Sequence, residues 1–311
     1  MSADTTRFED TMEEQGIRAS VEERLRSFLR RIGSVVMNKP RAKNFCIYVA
    51  GLLSSLERKT AEAIAVAATP DAPDGTVRSN PGDGAMTRDV KRRHDRILHT
   101  IGKSTWEDIP VRNEAVRFAL EALSHGEEIE QLIVDDTGFI KQGAHSVGTQ
   151  RQYTGSAGKV ANCQIGVSVV ACTATSQFPV DFALYLPRKW LTPKARKEAD
   201  IPNSIRFKTK LQLAGHMLDQ ILDTGLLPAC RVSADSAYGS SAAFRNGLLE
   251  RGCTLAVGVK DDANAWSVDA NGSRRGPATS LTAIARRLKY RRVAWKNGTK
   301  GPMVGRFGAR S

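Results

Sequence analysis

Between residues 131 and 259 the sequence alternates short β-branched runs with helical stretches, and this order restricts the fold more than any other feature. Residues 131–135 form an apolar run ended by Thr137 and Gly138, the pattern of a buried strand. Residues 162–172 are rich in β-branched side chains and predict a second strand; residues 180–186 predict a third, stopped by Pro187. Phe207, Leu211, Ala214, Leu218 and Ile221 then recur at helical spacing before Gly225. Residues 230–234 predict a fourth strand running into Asp235, residues 241–251 a helix, and residues 254–259 a fifth strand. Upstream the spacing is helical over residues 21–68, 90–101 and 111–123, as in Val21, Leu25, Phe28 and Leu29, or Ala115, Phe118, Ala119 and Ala122.

Three successive strands followed by αβαβ is the element order of the ribonuclease-H-like fold, a mixed sheet of the α+β or α/β class with helices packed on it. The chain thus reads as an α-helical N-terminal domain over residues 1–125, with DNA binding as a candidate role. A ribonuclease-H-like core follows over 126–265, and a basic segment over 266–311. Pro- and Gly-rich residues 69–84 read as an exposed loop inside the first of these.

That order gives two acids a meaning. Asp135 closes the first strand and Asp235 the fourth, and in such a sheet these strands are neighbours. Adjacent carboxylates repel unless a cation lies between them, and Mg²⁺ (or Mn²⁺) prefers carboxylate oxygens. A metal pair held there would activate a water or a 3′-hydroxyl and stabilise the leaving oxygen of an in-line phosphoryl transfer. An aspartate at a strand end is also an ordinary cap for the helix that follows. Adjacent strand residues face opposite ways, so only one of Asp135 and Asp136 can point at such a site.

Charge points the same way. The formal net charge is +13, from 46 Lys and Arg against 33 Asp and Glu. No acid follows Asp269, whereas Arg274, Arg275, Arg286, Arg287, Lys289, Arg291, Arg292, Lys296, Lys300, Arg306 and Arg310 do, so the residues before them are nearly neutral. Such an imbalance suits a polyanion such as nucleic acid. Arg286, Arg287, Arg291 and Arg292, interleaved with Leu288 and Tyr290, are candidate phosphate contacts. Arg151, Tyr153 and Lys159, near the first acid, are candidates for backbone phosphates or a flipped base. Their alternative is a solvated hairpin with Tyr153 packed on the sheet. Lys208 and Lys210 read as a solvated helix face, and no histidine pair has zinc-ligand spacing.

Five cysteines, odd in number and widely spaced, argue against a disulfide framework and fit a reducing cytoplasm. No secretory leader and no run long enough to span a membrane is visible, so no membrane partner is expected.

Beyond these physical readings, the run Val134-Asp135-Asp136-Thr137-Gly138-Phe139, the blocks His145-Ser146-Val147-Gly148, Arg151-Gln152-Tyr153-Thr154-Gly155 and Asn162-Cys163-Gln164, then Leu184-Tyr185-Leu186-Pro187 with Trp190, Phe207-Lys208-Thr209-Lys210, and Ala234-Asp235-Ser236-Ala237-Tyr238-Gly239 resemble, in this order, the DDE-type transposases of bacterial insertion sequences. The resemblance extends from near residue 40 to near 305. It implies Mg²⁺- or Mn²⁺-dependent DNA transposition and recombination, with double-stranded DNA and its terminal inverted repeats as partner and a homodimer on paired ends. The family's Asp-x-Thr motif selects Asp135 as the first catalytic acid and metal ligand, and its Ala-Asp-x-x-Tyr-Gly block places the second on Asp235.

The family's third acid is a glutamate on a helix beyond an inserted segment, and no Asp or Glu lies beyond Asp269 to supply it. The expectation is a C-terminally truncated chain, stopping inside the insertion and catalytically incomplete. A non-catalytic DNA-binding remnant is the alternative.

Overall fold

The computed structural model describes residues 20–36, 38–69, 87–123, 126–269, 271, 273–298 and 301–309. The loop expected over 69–84 lies outside them apart from Thr69, as do the first residues, read for a leader. The chain divides into two compact units, residues 1–127 and 128–311.

The first unit is helical: α1 (residues 20–34), α2 (Lys39–Leu53), α3 (Ala61–Ala67), α4 (Arg88–Gly102) and α5 (Asp108–Glu121). Asn38, Thr60 and Thr87 start α2, α3 and α4 by accepting the backbone N–H groups of Arg41, Ala63 and Val90, which would otherwise lack partners. Two apolar clusters hold the helices together, one around Ile64, Ala65, Val90 and Ile97 and one around Ile32, Val36 and Phe45. Gly51 of α2 lies so close to α3 that a Cβ there would be 2.5 Å from Ile64, so this contact requires glycine.

The second unit is built on one six-stranded sheet: β1 (Gln131–Ile140), β2 (Gln150–Thr154), β3 (Lys159–Cys172), β4 (Gln177–Tyr185), β5 (Arg231–Ala234) and β6 (Thr254–Val257). The strand order is β2-β3-β1-β5-β6. The strand β4 also pairs with β3. Both β2 and β4 must lie on the side of β3 away from β1, because Cys163 pairs with Ile140 and Gln150, and Val169 with Val134 and Asp181. The pairs β1–β3 and β3–β4 are antiparallel, while β1–β5 and β5–β6 are parallel, which is the mixed sheet of a ribonuclease-H-like fold.

One side of the sheet is filled by Leu132, Val134, Val167, Val169 and Val232, all at most 1% exposed, beneath α7 (Lys210–Asp223), which packs on β3 and β4. Thr209 and Gln212 close a reciprocal capping box at the start of α7, and Ala214, Met217, Leu218 and Ile221 are its buried side chains. A four-residue α8 (Ser236–Gly239) and α9 (Ala242–Glu250) connect β5 to β6.

Several elements go beyond the sequence pattern. β1 runs on to Ile140 because it pairs along its whole length with β3. Residues 150–154, which the apolar runs do not mark as a strand, form one that folds back on β3. The 3₁₀ turn Arg188–Leu191 and α6 (Pro193–Glu198) precede α7. Beyond β6 come two antiparallel hairpins, β7 (Asn264–Val268) with β8 (Arg274–Ser280), and β9 (Arg291–Gly298) with β10 (Gly301–Phe307), with α10 (Leu281–Ala285) between them. All five cysteines are free. Among the described residues, no helix is long and apolar enough to cross a membrane.

Candidate active site

The two parallel strands β1 and β5 pair with Val134 opposite Ala234, so the next residue on each, Asp135 and Asp235, stands at the same level. Val134 is buried under the helices, and side chains alternate along a strand, so Asp135 is directed to the other side of the sheet. Ala234 shares the side of its partner Val134, and Asp235 follows it in extended conformation, with φ −74° and ψ −178°. Both aspartates are exposed. Two strands 4.7–4.9 Å apart, a general spacing of sheets, thereby carry one carboxylate each at neighbouring positions.

Each carboxylate is anchored through one oxygen. Asp135 Oδ1 accepts the N–H of Asp136 at 2.7 Å, and Asp235 Oδ1 accepts the N–H of Ala237 at 2.9 Å. The second bond caps α8, so the capping role read from the sequence is real, and it leaves the other oxygen of Asp235 without a hydrogen bond among the described residues. The Oδ2 of Asp135 is likewise without one. These are hard oxygen donors of the kind Mg²⁺ and Mn²⁺ take, and the donor set fits such an ion with two protein ligands. Among the described residues no group of three or more His, Cys, Asp or Glu forms a metal-holding cluster.

Asp136 lies on the opposite side of β1, beside Val134, and its environment differs. Its Oδ2 accepts a hydrogen bond from Lys210 Nζ at 3.0 Å and one from the Tyr238 hydroxyl at 3.3 Å. Its side chain is 21% exposed and that of Lys210 32%. The reading of Lys210 as a solvated helix face is therefore corrected: it is the first residue of α7 and is drawn onto the sheet by Asp136. Tyr238 is 1% exposed, and burial, then the Asp136 carboxylate, push its phenol well above the ordinary value. The phenol is thus held as a donor. Neither Lys210 nor Tyr238 was singled out from the sequence as a partner of Asp136, although both lie in conspicuous blocks, Phe207-Lys208-Thr209-Lys210 and Ala234-Asp235-Ser236-Ala237-Tyr238-Gly239.

The remaining candidates fall on the surface. Arg151 and Lys159 are exposed on the β2–β3 hairpin, and Tyr153, at 63% exposure, projects into solvent rather than packing on the sheet. The register opposes Tyr153 to Val160, itself 52% exposed, so the hairpin extends past the part of the sheet that α7 covers. Arg286 and Arg287 follow α10, Arg291 and Arg292 begin β9, and all four are exposed with no ion pair among the described residues.

Comparison with known proteins bears on this geometry. Residues 31–302 match the family described as DDE superfamily endonuclease. Over 145 residues, 47% of this chain, the sequence is 29% identical to a protein of Microchaete diplosiphon described as a probable transposase for insertion sequence element IS701. The match covers 35% of that protein, so the chain aligns with about a third of the relative's length.

Proposed function

The chain belongs to the DDE superfamily endonucleases, and on that premise we propose that it is a transposase of an insertion sequence, acting on double-stranded DNA at terminal inverted repeats. The observation that carries this reading is the juxtaposition of Asp135 and Asp235 at the same level of neighbouring parallel strands. Asp135 and Asp235 are the proposed catalytic acids and the ligands of Mg²⁺ or Mn²⁺. Bound between them, the metal would polarise the scissile phosphate and lower the pKa of an attacking water or 3′-hydroxyl. The protein's own part is to present two pre-oriented oxygens, each held by a backbone N–H, and to bring DNA to them. Arg151, Tyr153 and Lys159 on the β2–β3 hairpin, with Arg286, Arg287, Arg291 and Arg292, are the proposed DNA contacts; exposure and, in the arginine group, the lack of ion pairs among the described residues support this. The helical unit is a candidate for further DNA contact, and the proposed assembly is a homodimer on paired ends, in the cytoplasm.

No acid follows Asp269 in the sequence. We therefore propose that these 311 residues bind DNA and a divalent ion but, by themselves, cut and join strands poorly or not at all. This also sustains a second reading, a DNA-binding protein without catalysis that competes for element ends. The two readings separate in one experiment. Duplexes carrying insertion-sequence ends are incubated with the protein and with Asp135→Asn and Asp235→Asn, and Mn²⁺ binding, DNA binding and nicking are followed together. The transposase reading expects Mn²⁺ affinity to fall in both variants with DNA binding intact, and any residual nicking to vanish. Unchanged Mn²⁺ binding in both variants overturns the assignment of the two acids, and robust metal-dependent nicking by the unmodified chain overturns its catalytic incompleteness.

A further inference from the structure

Three groups meet behind the proposed metal site: the Asp136 carboxylate, the Lys210 ammonium and the Tyr238 hydroxyl. They come from three elements, β1, α7 and α8, and Asp136 is separated from its partners by 74 and 102 residues of sequence. Asp136 is the residue after Asp135, and Tyr238 is three residues after Asp235. The tie therefore fastens the strand that carries one acid to the helix whose cap is the other.

The backbone of α8 is fixed as well. A Cβ on Gly239 would lie 2.0 Å from the Gly258 carbonyl oxygen, and one on Gly258 would lie 2.9 Å from the Ser236 backbone nitrogen. Only two glycines allow the backbone of α8 to approach the end of β6 this closely. The four-residue α8 is thus clamped between a glycine contact to β6 and a tyrosine contact to β1. Gly239 N–H also donates to the Asp235 carbonyl at 2.8 Å, so a movement of Tyr238 is transmitted to Asp235 through a single helical turn.

A half-buried ion pair with a buried phenol is a costly way to fill this space. Replacing such a pair by well-packed apolar groups of similar volume is often neutral or stabilising, and in some proteins buried ionic groups are kept because they fix one arrangement. We propose that Asp136, Lys210 and Tyr238 are positioning residues, which set the separation and direction of the Asp135 and Asp235 carboxylates without touching the metal. The inference rests on the proposed metal site. It assigns Asp136 to the scaffold and leaves Asp135 as the ligand from the adjacent pair.

The test uses the full 311-residue chain and Mn²⁺ alone, with affinity read by calorimetry or electron paramagnetic resonance, and amide exchange at Ala237 and Gly239 read in parallel. Lys210→Met and Tyr238→Phe, which keep most of the side-chain volume, are expected to weaken Mn²⁺ binding by about tenfold each, the usual effect of removing a group that orients a ligand. Asp136→Asn is expected to weaken it to a similar extent, and its combination with Lys210→Met to add little, because both remove the same tie. Exchange at Ala237 and Gly239 is expected to accelerate in all of them. Asp135→Asn and Asp235→Asn test the metal site itself, and unchanged binding there rejects that site rather than the tie.

Several results overturn the inference. Tighter Mn²⁺ binding in both Lys210→Met and the charge-neutral Tyr238→Phe would show the tie competing with the metal for Asp136, making Asp136 a ligand. Unchanged binding and unchanged exchange in Lys210→Met and Tyr238→Phe would show that the tie positions nothing. If the chain shows no saturable Mn²⁺ binding, the exchange measurement decides alone, and protection preserved in both variants rejects the inference. A variant that fails to fold is replaced by Lys210→Arg, for which recovery of near-native exchange is expected and its absence counts against the tie.

Discussion

The sheet β1–β6 and the hairpins β7–β10 lie in the same unit, yet they are built on different principles. In the sheet, Leu132, Val134, Val167, Val169 and Val232 are almost wholly removed from water, and α7 covers them. In the hairpins no residue of 264–268, 274–280, 291–294 or 301–307 is buried; their strands are joined by backbone pairing, with Arg274 stacked 4.3 Å over Trp266 and Arg306 5.7 Å over Tyr290. Apolar burial is the dominant favourable term in folding, whereas exposed hairpins draw on cross-strand pairs worth tenths of a kcal/mol. The difference separates two tasks. The sheet must hold two carboxylates in fixed relation, while the hairpins need only present cations.

The largest expected effect exploits this contrast in packing. Leu132→Ala removes a fully buried side chain of β1 and is expected to cost about 2–5 kcal/mol of stability, whereas Val293→Ala on β9 is expected to stay within about 0.5 kcal/mol. Urea unfolding of the two variants measures both. A change above about 2 kcal/mol at Val293 would mean that the hairpins have a core of their own, and the comparison would fail.

A second contrast concerns DNA. Replacing Arg286, Arg287, Arg291 and Arg292 together by Gln is expected to leave the sheet's stability unchanged and to lower DNA affinity. The slope of log affinity against log salt should fall by about 0.9 for each phosphate left without its cation, so by about 3 to 4 if each of the four arginines neutralises one. Filter binding of duplex DNA between low and moderate salt reads this directly. An unchanged slope would make these cations an ordinary solvated surface, and the division of labour between sheet and hairpins would lose its second half.

The contrast also explains which parts could be read from the sequence. The strands with β-branched or apolar runs, β1, β3, β4, β5 and β6, were legible because burial leaves a period in the residues. β2, Gln150-Arg151-Gln152-Tyr153-Thr154, was not, since it is polar and exists by pairing with β3. The hairpins left no apolar alternation to read, only charge. At the site, the neighbourhood of Asp135 and Asp235 followed from strand order alone. The role of Asp136 did not, because its partners Lys210 and Tyr238 lie far away in sequence and only the fold brings them together.

The smallest effect probes the buried side of β1 by pH. Burial and the Asp136 charge raise the Tyr238 phenol in the folded protein, while in the unfolded chain it would titrate at about 10. A group with a raised folded pKa contributes stability that is complete below its unfolded pKa and is lost as pH rises above it toward the folded value. The unfolded state gives up its proton first, and folding must then take one up. Above about pH 10 this single phenol is expected to steepen the loss of stability by up to about 1.4 kcal/mol per pH unit. Tyr238→Phe removes that contribution, so the stability of the variant should fall less steeply than that of the parent over this range and run parallel to it near neutral pH. Thermal unfolding of both proteins from about pH 7 to about pH 11 makes the comparison, and equal alkaline slopes would place the Tyr238 hydroxyl in water rather than against Asp136.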